Sequence, residues 1–318
     1  MSSEQTVLVL SQEDDPQLSM LKGLRHIVGR TPEAFAGAVN DPVIILAWSA
    51  PKKLLRDVFL MCKNVLWVHS RSAGLDSVLF PELVSSNVPM TNGSGVFSQS
   101  LGEFSLAAIL YFAKDFRRML RNQMAGVWEQ FDVEEIDTQT VGIVGYGDIG
   151  RAVAKRLHPM GMTVLALKRH PPEAVDPLVD QFYKTEDLLA MLPRCDYVVV
   201  CLPLTAETHH MMSDAQFAAM KPSAVIVNVG RGPVIDQAAM VRALTEKRIK
   251  GAGLDVFEHE PLPAGDPMYH LENVLLSPHT ADHTKDWLNQ AMRFFMEQYG
   301  RFTKGAPLEN VVNKSLGY

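Results

Sequence analysis

The sequence predicts an α/β protein built on doubly wound parallel sheets, and three observations carry that expectation. Short apolar segments alternate with helical patterns along most of the 318 residues, the signature of strand–helix units. The length fits two domains of ordinary size. A glycine-punctuated turn in Val141 to Gly150, reading VGIVGYGDIG, joins one apolar segment to a helical pattern.

Composition bounds the rest. Hydrophobic residues make up 47% of the chain and the net charge is −6. That is ample for buried cores, and an acidic chain leaves no electrostatic footprint for nucleic acid or an anionic membrane. The opening residues MSSEQTVLVL lack the basic and apolar regions of a secretory signal, and no apolar run is long enough to span a bilayer. Cys62, Cys195 and Cys201 form no C-x-x-C, and an odd count argues against a disulfide framework. A cytoplasmic protein with buried thiols is expected.

In the first domain, Thr6–Leu10, Val43–Ala47, Val65–Val68 and Val88–Met90 read as strands. Pro51 to Cys62 reads as a helix, with Pro51 suited to a first turn. Ser72, Ala73 and Gly74 follow the Val65 strand. Small residues beyond a strand's carboxyl end leave N–H groups to hold an anion. An ordinary strand-to-helix turn reads equally well. A long helix is expected from about Gly102 to Trp128. Its first half, with Phe104, Leu106, Ile109, Leu110 and Phe112, is apolar on more than one face. That suggests burial between domains or subunits. Arg117, Arg118 and Arg121 read as a solvated helix end.

From Thr140 the second domain repeats the pattern. Strands are expected at Val141–Val144, Met162–Leu167, Tyr197–Leu202, Ala224–Val229, Gly253–Val256 and Val274–Leu276. Helices fall at Ile149–His158, Thr185–Leu192, Ser213–Ala219 and Gln237–Lys247. Six strands in series match a Rossmann dinucleotide-binding sheet.

The glycine turn carries the first chemistry. Gly145 permits the tight turn, Gly147 lets a pyrophosphate approach the backbone, and Gly150 lets the helix pack on the strand. Phosphates then meet the positive pole of the helix that starts near Asp148 and Ile149. Alone, the motif could be a plain glycine-rich turn. Its place between a strand and a helix favours dinucleotide binding. An NAD-type site places an acid after the second strand, but here Leu167 is followed by Lys168, Arg169 and His170. Two cations there suit a 2′-phosphate.

Three more stretches end later strands. Asn228-Val229-Gly230-Arg231-Gly232 presents an Arg suited to a carboxylate. Asp255 to Pro261 (DVFEHEP) offers Asp255 and Glu260, and Ser277 to Thr280 (SPHT) offers His279. A His beside a carboxylate is a candidate acid/base pair. All three fall at the same edge of one sheet, which raises the functional reading of each. His209 and His210 lie at an expected helix start, and His259 lies between two acids. Neither makes a metal-ligand spacing, and no metal is expected.

These motifs resemble those of the D-isomer-specific 2-hydroxyacid dehydrogenase family, over nearly the whole chain. The specific stretches are Gly145–Gly150, Cys201–Thr205 (CLPLT), Asn228–Gly232, Asp255–Pro261 and Ser277–Thr280. The resemblance implies a flavodoxin-like α/β substrate domain from residues 1–101 and 291–318, and a dinucleotide-binding domain over 102–290. It implies that Arg231, Glu260 and His279 are catalytic. It places the cofactor on Gly145, Gly147, Asp148, Ile149, Gly150, Lys168, Arg169, Cys201, Leu202, Pro203, Thr208, Val229, Gly230, Arg231, Asp255 and His279. It places the substrate on Ser72, Ala73, Gly74, Arg231 and His279. Lys168 in place of the family's usual acid is similar to NADPH-preferring glyoxylate and hydroxypyruvate reductases, so NADP(H) is expected before NAD(H).

The expected reaction is transfer of a hydride from NADPH to a small 2-oxo acid, giving the D-2-hydroxy acid. His279 would donate the proton, Glu260 would orient its ring, and Arg231 would hold the carboxylate. Trp48 and Trp287 are candidates for the pocket or for plain core. A homodimer is expected. The alternatives are an NAD-dependent D-2-hydroxyacid dehydrogenase and a dinucleotide-sensing, corepressor-like binding protein.

Overall fold

The structure is a computed structural model that describes residues 5–317. The residues before that, part of the signal-peptide reading, lie outside it. In chain order the elements begin with β1 (Thr6–Leu10), β2 (His26–Gly29), β3 (Pro42–Ala47), α1 (Lys52–Met61), β4 (Asn64–Ser70), α2 (Pro81–Ser85) and β5 (Met90–Asn92). Next come α3 (Ser98–Ala113), α4 (Phe116–Ala125), β6 (Thr140–Val144), α5 (Asp148–Leu157), β7 (Thr163–Leu167) and β8 (Gln181–Tyr183). The rest are α6 (Leu188–Met191), β9 (Tyr197–Val200), α7 (Asp214–Ala219), β10 (Val225–Asn228), α8 (Gln237–Thr245), β11 (Gly251–Leu254), β12 (Val274–Leu276) and α9 (Trp287–Thr303).

Two compact units form, Met1–Phe97 with Lys285–Tyr318, and Ser98–Thr284. The junctions fall at or just before the starts of α3 and α9. The expected junctions, 101/102 and 290/291, lie inside those helices, and a helix packs as one hydrogen-bonded element.

The first unit holds a five-stranded parallel sheet in the order β2-β1-β3-β4-β5. This is the flavodoxin-like order. Strand alternation sends Leu8, Leu10, Val43, Ile45 and Val68 to one face, against Leu54, Leu55 and Val58 of α1. Val7, Val9, Ile44, Leu46 and Trp67 go to the other, against Ala291, Met292 and Phe295 of α9. Both faces are covered, so the strands read as unbroken apolar runs.

The second unit holds a seven-stranded parallel sheet, β12-β11-β10-β9-β6-β7-β8. Strand order reverses between β6 and β9, the switch point where ligands bind in such sheets. Val144, Leu165, Val198 and Ile226 pack with Met240, Ala243 and Leu244 of α8. Val141, Ile143, Val164 and Val227 pack with Ala108 and Ile109 of α3 and with Val153 and Leu157 of α5. Each such buried Val or Leu contributes about 1.5–3 kcal/mol.

Several elements differ from expectation. β2 and β8 went unread, and the second sheet has seven strands rather than six. Both are short edge strands with partly exposed residues, so their apolar periodicity is weak. The long helix divides at Asp115, which takes a left-handed conformation (φ 50°) and caps α4 by accepting from Arg118 N at 3.3 Å. Leu101, Ala108, Ile109 and Ala113 of α3 are buried in its own unit, and Phe104, Leu106, Leu110 and Phe112 are partly buried. A Cβ on Gly102 would stand 2.9 Å from Ala152 O, so α3 lies directly on α5. The helix expected over Thr185–Leu192 is a short α6 between two 3-10 turns.

Candidate active site

The loop from β6 into α5 builds the glycine site. Gly145 takes φ +103°, and a Cβ on Gly150 would stand 2.3 Å from Gly145 O. Both positions therefore demand glycine. A Cβ on Gly147 would meet nothing within 4 Å. Gly147 is also the N-cap of α5 and offers no side-chain cap. The first turn thus presents its N–H groups and positive pole to open space. A pyrophosphate fits that cradle. Tyr146 anchors the loop by donating from its hydroxyl to Asp176 at 3.0 Å, and burial pushes its phenol up.

Lys168 and Arg169 follow β7. The Lys168 ammonium lies 5.9 Å over the Tyr146 ring, which holds it beside the glycine loop. Arg169 pairs with the carboxylate of Glu207 from the loop after β9. The sequence reading placed two cations and no carboxylate here. The structure brings in Glu207 from 38 residues away.

Arg231, Asp255, Glu260 and His279 come from the loops after β10, β11 and β12, at one edge of the sheet. Close approach between the loops requires glycine, because a Cβ on Gly232 would stand 1.8 Å from Phe257 O. Asn228 shapes the first loop, accepting from Gly230 N at 3.0 Å and donating to Arg231 O at 3.1 Å. Arg231 is steadied by its own Nη1, which donates to Gly230 O at 2.9 Å. Glu260 is oriented by Phe257 N, which donates to Oε1 at 2.8 Å, and its Oε2 accepts from His279 Nδ1 at 2.6 Å. With Nδ1–H donated to Glu260, Nε2 is left as the ring's working nitrogen. His279 itself is left-handed (φ 54°).

Buried Asp255 fixes that turn. Its Oδ1 accepts from Ser277 Oγ at 2.6 Å, Thr280 N at 2.9 Å and Ala281 N at 3.0 Å. It positions the residues around His279. Asp282 was not singled out from the sequence. Its Oδ1 is buried without a hydrogen bond among the described residues. Burial raises its carboxyl above the usual range, against the lowering effect of His283 and His279.

Cys201, Leu202 and Pro203 lie just beyond β9, in a loop rather than in the strand expected there. A Cβ on Gly230 would stand 2.6 Å from Leu202 O, so this loop lies against the Arg231 loop. Val229 is buried and donates from its N–H to Val200 O. Buried Thr208 donates from its hydroxyl to Pro203 O at 2.7 Å and accepts from Thr205 N at 2.8 Å. Its hydroxyl therefore closes the turn.

In the first unit, Ser72, Ala73 and Gly74 follow β4. Asn92 Nδ2 donates to Ala73 O at 2.6 Å, and Ser70 Oγ donates to Ser72 O at 3.2 Å. The loop's carbonyls are held, whereas the N–H groups of Ala73 and Gly74 find no acceptor among the described residues. This is the donor pattern of an anion cradle. Beside it the Arg71 guanidinium stands between Trp48 and Trp287, 5.2 and 5.1 Å from the ring centroids. Both tryptophans therefore flank this loop.

A phosphate-ready glycine turn at the switch point and a His–carboxylate pair on the same sheet edge define a dinucleotide-dependent dehydrogenase. Comparison makes the class particular. Residues 106–281 match the family model of the D-isomer specific 2-hydroxyacid dehydrogenase NAD binding domain. The chain belongs to that family and is an enzyme. A glyoxylate reductase of Korarchaeum cryptofilum is 33% identical over 266 residues, 82% of this chain and 80% of the relative. A family member from Xanthobacter autotrophicus Py2, solved with NADPH and MES, superposes with a TM-score of 0.83 at 30% identity, covering 99% of this chain and 100% of the other. An NADPH-dependent glyoxylate/hydroxypyruvate reductase from Sinorhizobium meliloti, solved with NADP and sulfate, gives 0.85 at 25% identity, covering 99% and 100%.

Proposed function

We propose that the protein reduces a small 2-oxo acid of the glyoxylate or hydroxypyruvate type to the D-2-hydroxy acid, with NADPH preferred and NADH accepted. The observation that carries this reading is His279 Nδ1 held 2.6 Å from a carboxylate that is itself anchored to backbone. When bound, the dihydronicotinamide supplies the hydride for the keto carbon. Gly147 would leave room for its pyrophosphate in the turn that Gly145 and Gly150 shape, and Lys168 and Arg169 would hold its 2′-phosphate. Negative charge grows on the former carbonyl oxygen, and His279 Nε2 donates a proton to it. Glu260 stabilises the charged ring before that transfer and fixes its orientation. Arg231 holds the substrate carboxylate and polarises the carbonyl.

The Glu207 carboxylate beside Arg169 favours some use of NADH, because a carboxylate can accept from ribose hydroxyls. A cytoplasmic homodimer completes the proposal. Its support is a stretch of exposed apolar residues from Phe116 to Trp128. Among the described residues no helix is long and apolar enough to cross a membrane. Steady-state assays with glyoxylate, hydroxypyruvate and larger 2-oxo acids, each with NADPH and NADH, test the reading. NADPH oxidation with the small acids is expected. Tight NADPH binding without turnover on any of them would favour a dinucleotide-sensing binding protein instead.

A further inference from the structure

We propose that His209, His210 and Glu258 form a binding site for one divalent transition-metal ion of the zinc, cobalt and nickel class. Neighbouring histidines make no metal motif by spacing, and the third donor comes from the loop after β11. The structure brings them together, with one donor atom of each residue lying within 4.8 Å of the other two. His210 Nε2 stands 2.8 Å from Glu258 Oε1. The two imidazoles stack with centroids 3.9 Å apart and planes 25° apart.

The backbone explains the pairing. Successive side chains of an extended segment point to opposite faces. His210 instead takes φ 52°, and both rings fall on one side. Three hydrogen bonds hold the frame. His209 N donates to Thr205 O at 3.0 Å, His210 N to Pro233 O at 2.9 Å, and Glu258 N to Gln237 Oε1 at 3.1 Å.

Donor chemistry selects the ion. Two neutral imidazoles and one carboxylate carry a single negative charge against two positive ones. Two His and one Glu is the donor set of three-ligand zinc sites that keep an open fourth position. Imidazole nitrogens select against magnesium and calcium, which take oxygen. Tetrahedral coordination at about 2.0–2.1 Å puts donors roughly 3.3 Å apart. His210 and Glu258 are already that close, and His209, which is exposed, swings in to complete the set. The ion would fasten the loop after β9 to the loop leading into Glu260. It shares no ligand with the Glu260–His279 pair.

The test uses the full-length chain, free of tags and stripped of metal. Cobalt is titrated by its visible absorption and zinc by competition with a chromophoric chelator. One ion per chain is expected. Glu258→Gln should weaken binding by roughly 10–100-fold, and His209→Ala with His210→Ala should abolish it. His279→Ala should leave it unchanged. Added zinc should raise the unfolding midpoint of the wild type and not of the double variant. Should the double variant not fold, Glu258→Gln alone decides. Absence of one-to-one binding, binding that survives these substitutions, or binding lost in His279→Ala would overturn the proposal.

Discussion

At the scale of single residues, the site depends on what each side chain is tied to. His279 Nδ1 is committed to Glu260, so Nε2 is the nitrogen that can serve a substrate. His279→Ala is expected to lower kcat by ~100- to 10,000-fold while NADPH still binds, because the glycine cradle is intact. Stopped-flow turnover within a few-fold of wild type would remove His279 from the proton-transfer role. Arg231→Lys keeps the charge and loses the planar fork. A lower kcat/KM for every 2-oxo acid is expected, and unchanged efficiency would mean that another group holds the carboxylate. A third expectation concerns stability. Buried His69 accepts from the Thr91 hydroxyl, which itself accepts from Trp67 Nε1 at 2.8 Å. Burial lowers the His69 imidazole to about 3. The unfolded chain takes up a proton near 6.5 that the folded chain refuses. This contribution is therefore complete above pH 6.5 and declines as pH falls toward 3, by up to about 1.4 kcal/mol per pH unit. His69→Gln should flatten the acid limb of the midpoint-against-pH curve, and parallel curves would refute the assignment. Arg231, Glu260 and His279 were legible because each lies in a short motif after an apolar run. Asp282 and the Arg71 sandwich were not. Asp282 acquires its character from burial and from the neighbouring Asp255 charge, and Arg71 meets Trp287 across 216 positions of sequence.

At the scale of elements, the strand-to-helix order of the second unit was readable, and with it the glycine turn. The edge strands β2 and β8 were not, since a half-solvated strand of three or four residues gives no apolar run. The basic loop after β7 was read correctly as residues and incompletely as a site. Arg169 engages Glu207, so a 2′-phosphate must share or displace that carboxylate. The pair is substantially exposed, and such pairs are worth about 0.2–1 kcal/mol. Glu207→Gln should therefore lower the KM for NADPH by about 1.4- to fivefold and leave kcat nearly unchanged. The effect should shrink as salt is raised. Lys168→Asp with Arg169→Asn should do the opposite, eroding or inverting the preference for NADPH over NADH. An unaltered KM for NADPH in Glu207→Gln would place the phosphate away from Arg169.

At the scale of the whole molecule, alternating strands and helices announced two α/β units, and the motifs placed the dinucleotide site in the second. The sequence suggested burial between domains or subunits for the apolar faces of α3, and Phe104, Leu106, Leu110 and Phe112 are only partly buried against its own unit. A more exposed apolar surface lies one element further on. Met119, Leu120, Met124, Val127 and Trp128 are exposed in and just after α4, with Met124 at 90% and Trp128 at 95%. Apolar residues gathered on one segment at such exposure mark a contact surface, and in the proposed homodimer a second copy would cover it with the same residues. Light scattering at micromolar concentration is expected to give the mass of a dimer. Leu120→Glu with Met124→Glu should shift it to the monomer, because burying two carboxylates against apolar neighbours costs more than the contact returns. The fold of each unit should survive, since neither side chain belongs to a core. A wild-type monomer, or a dimer unaffected by the double substitution, would show that this segment is not the interface.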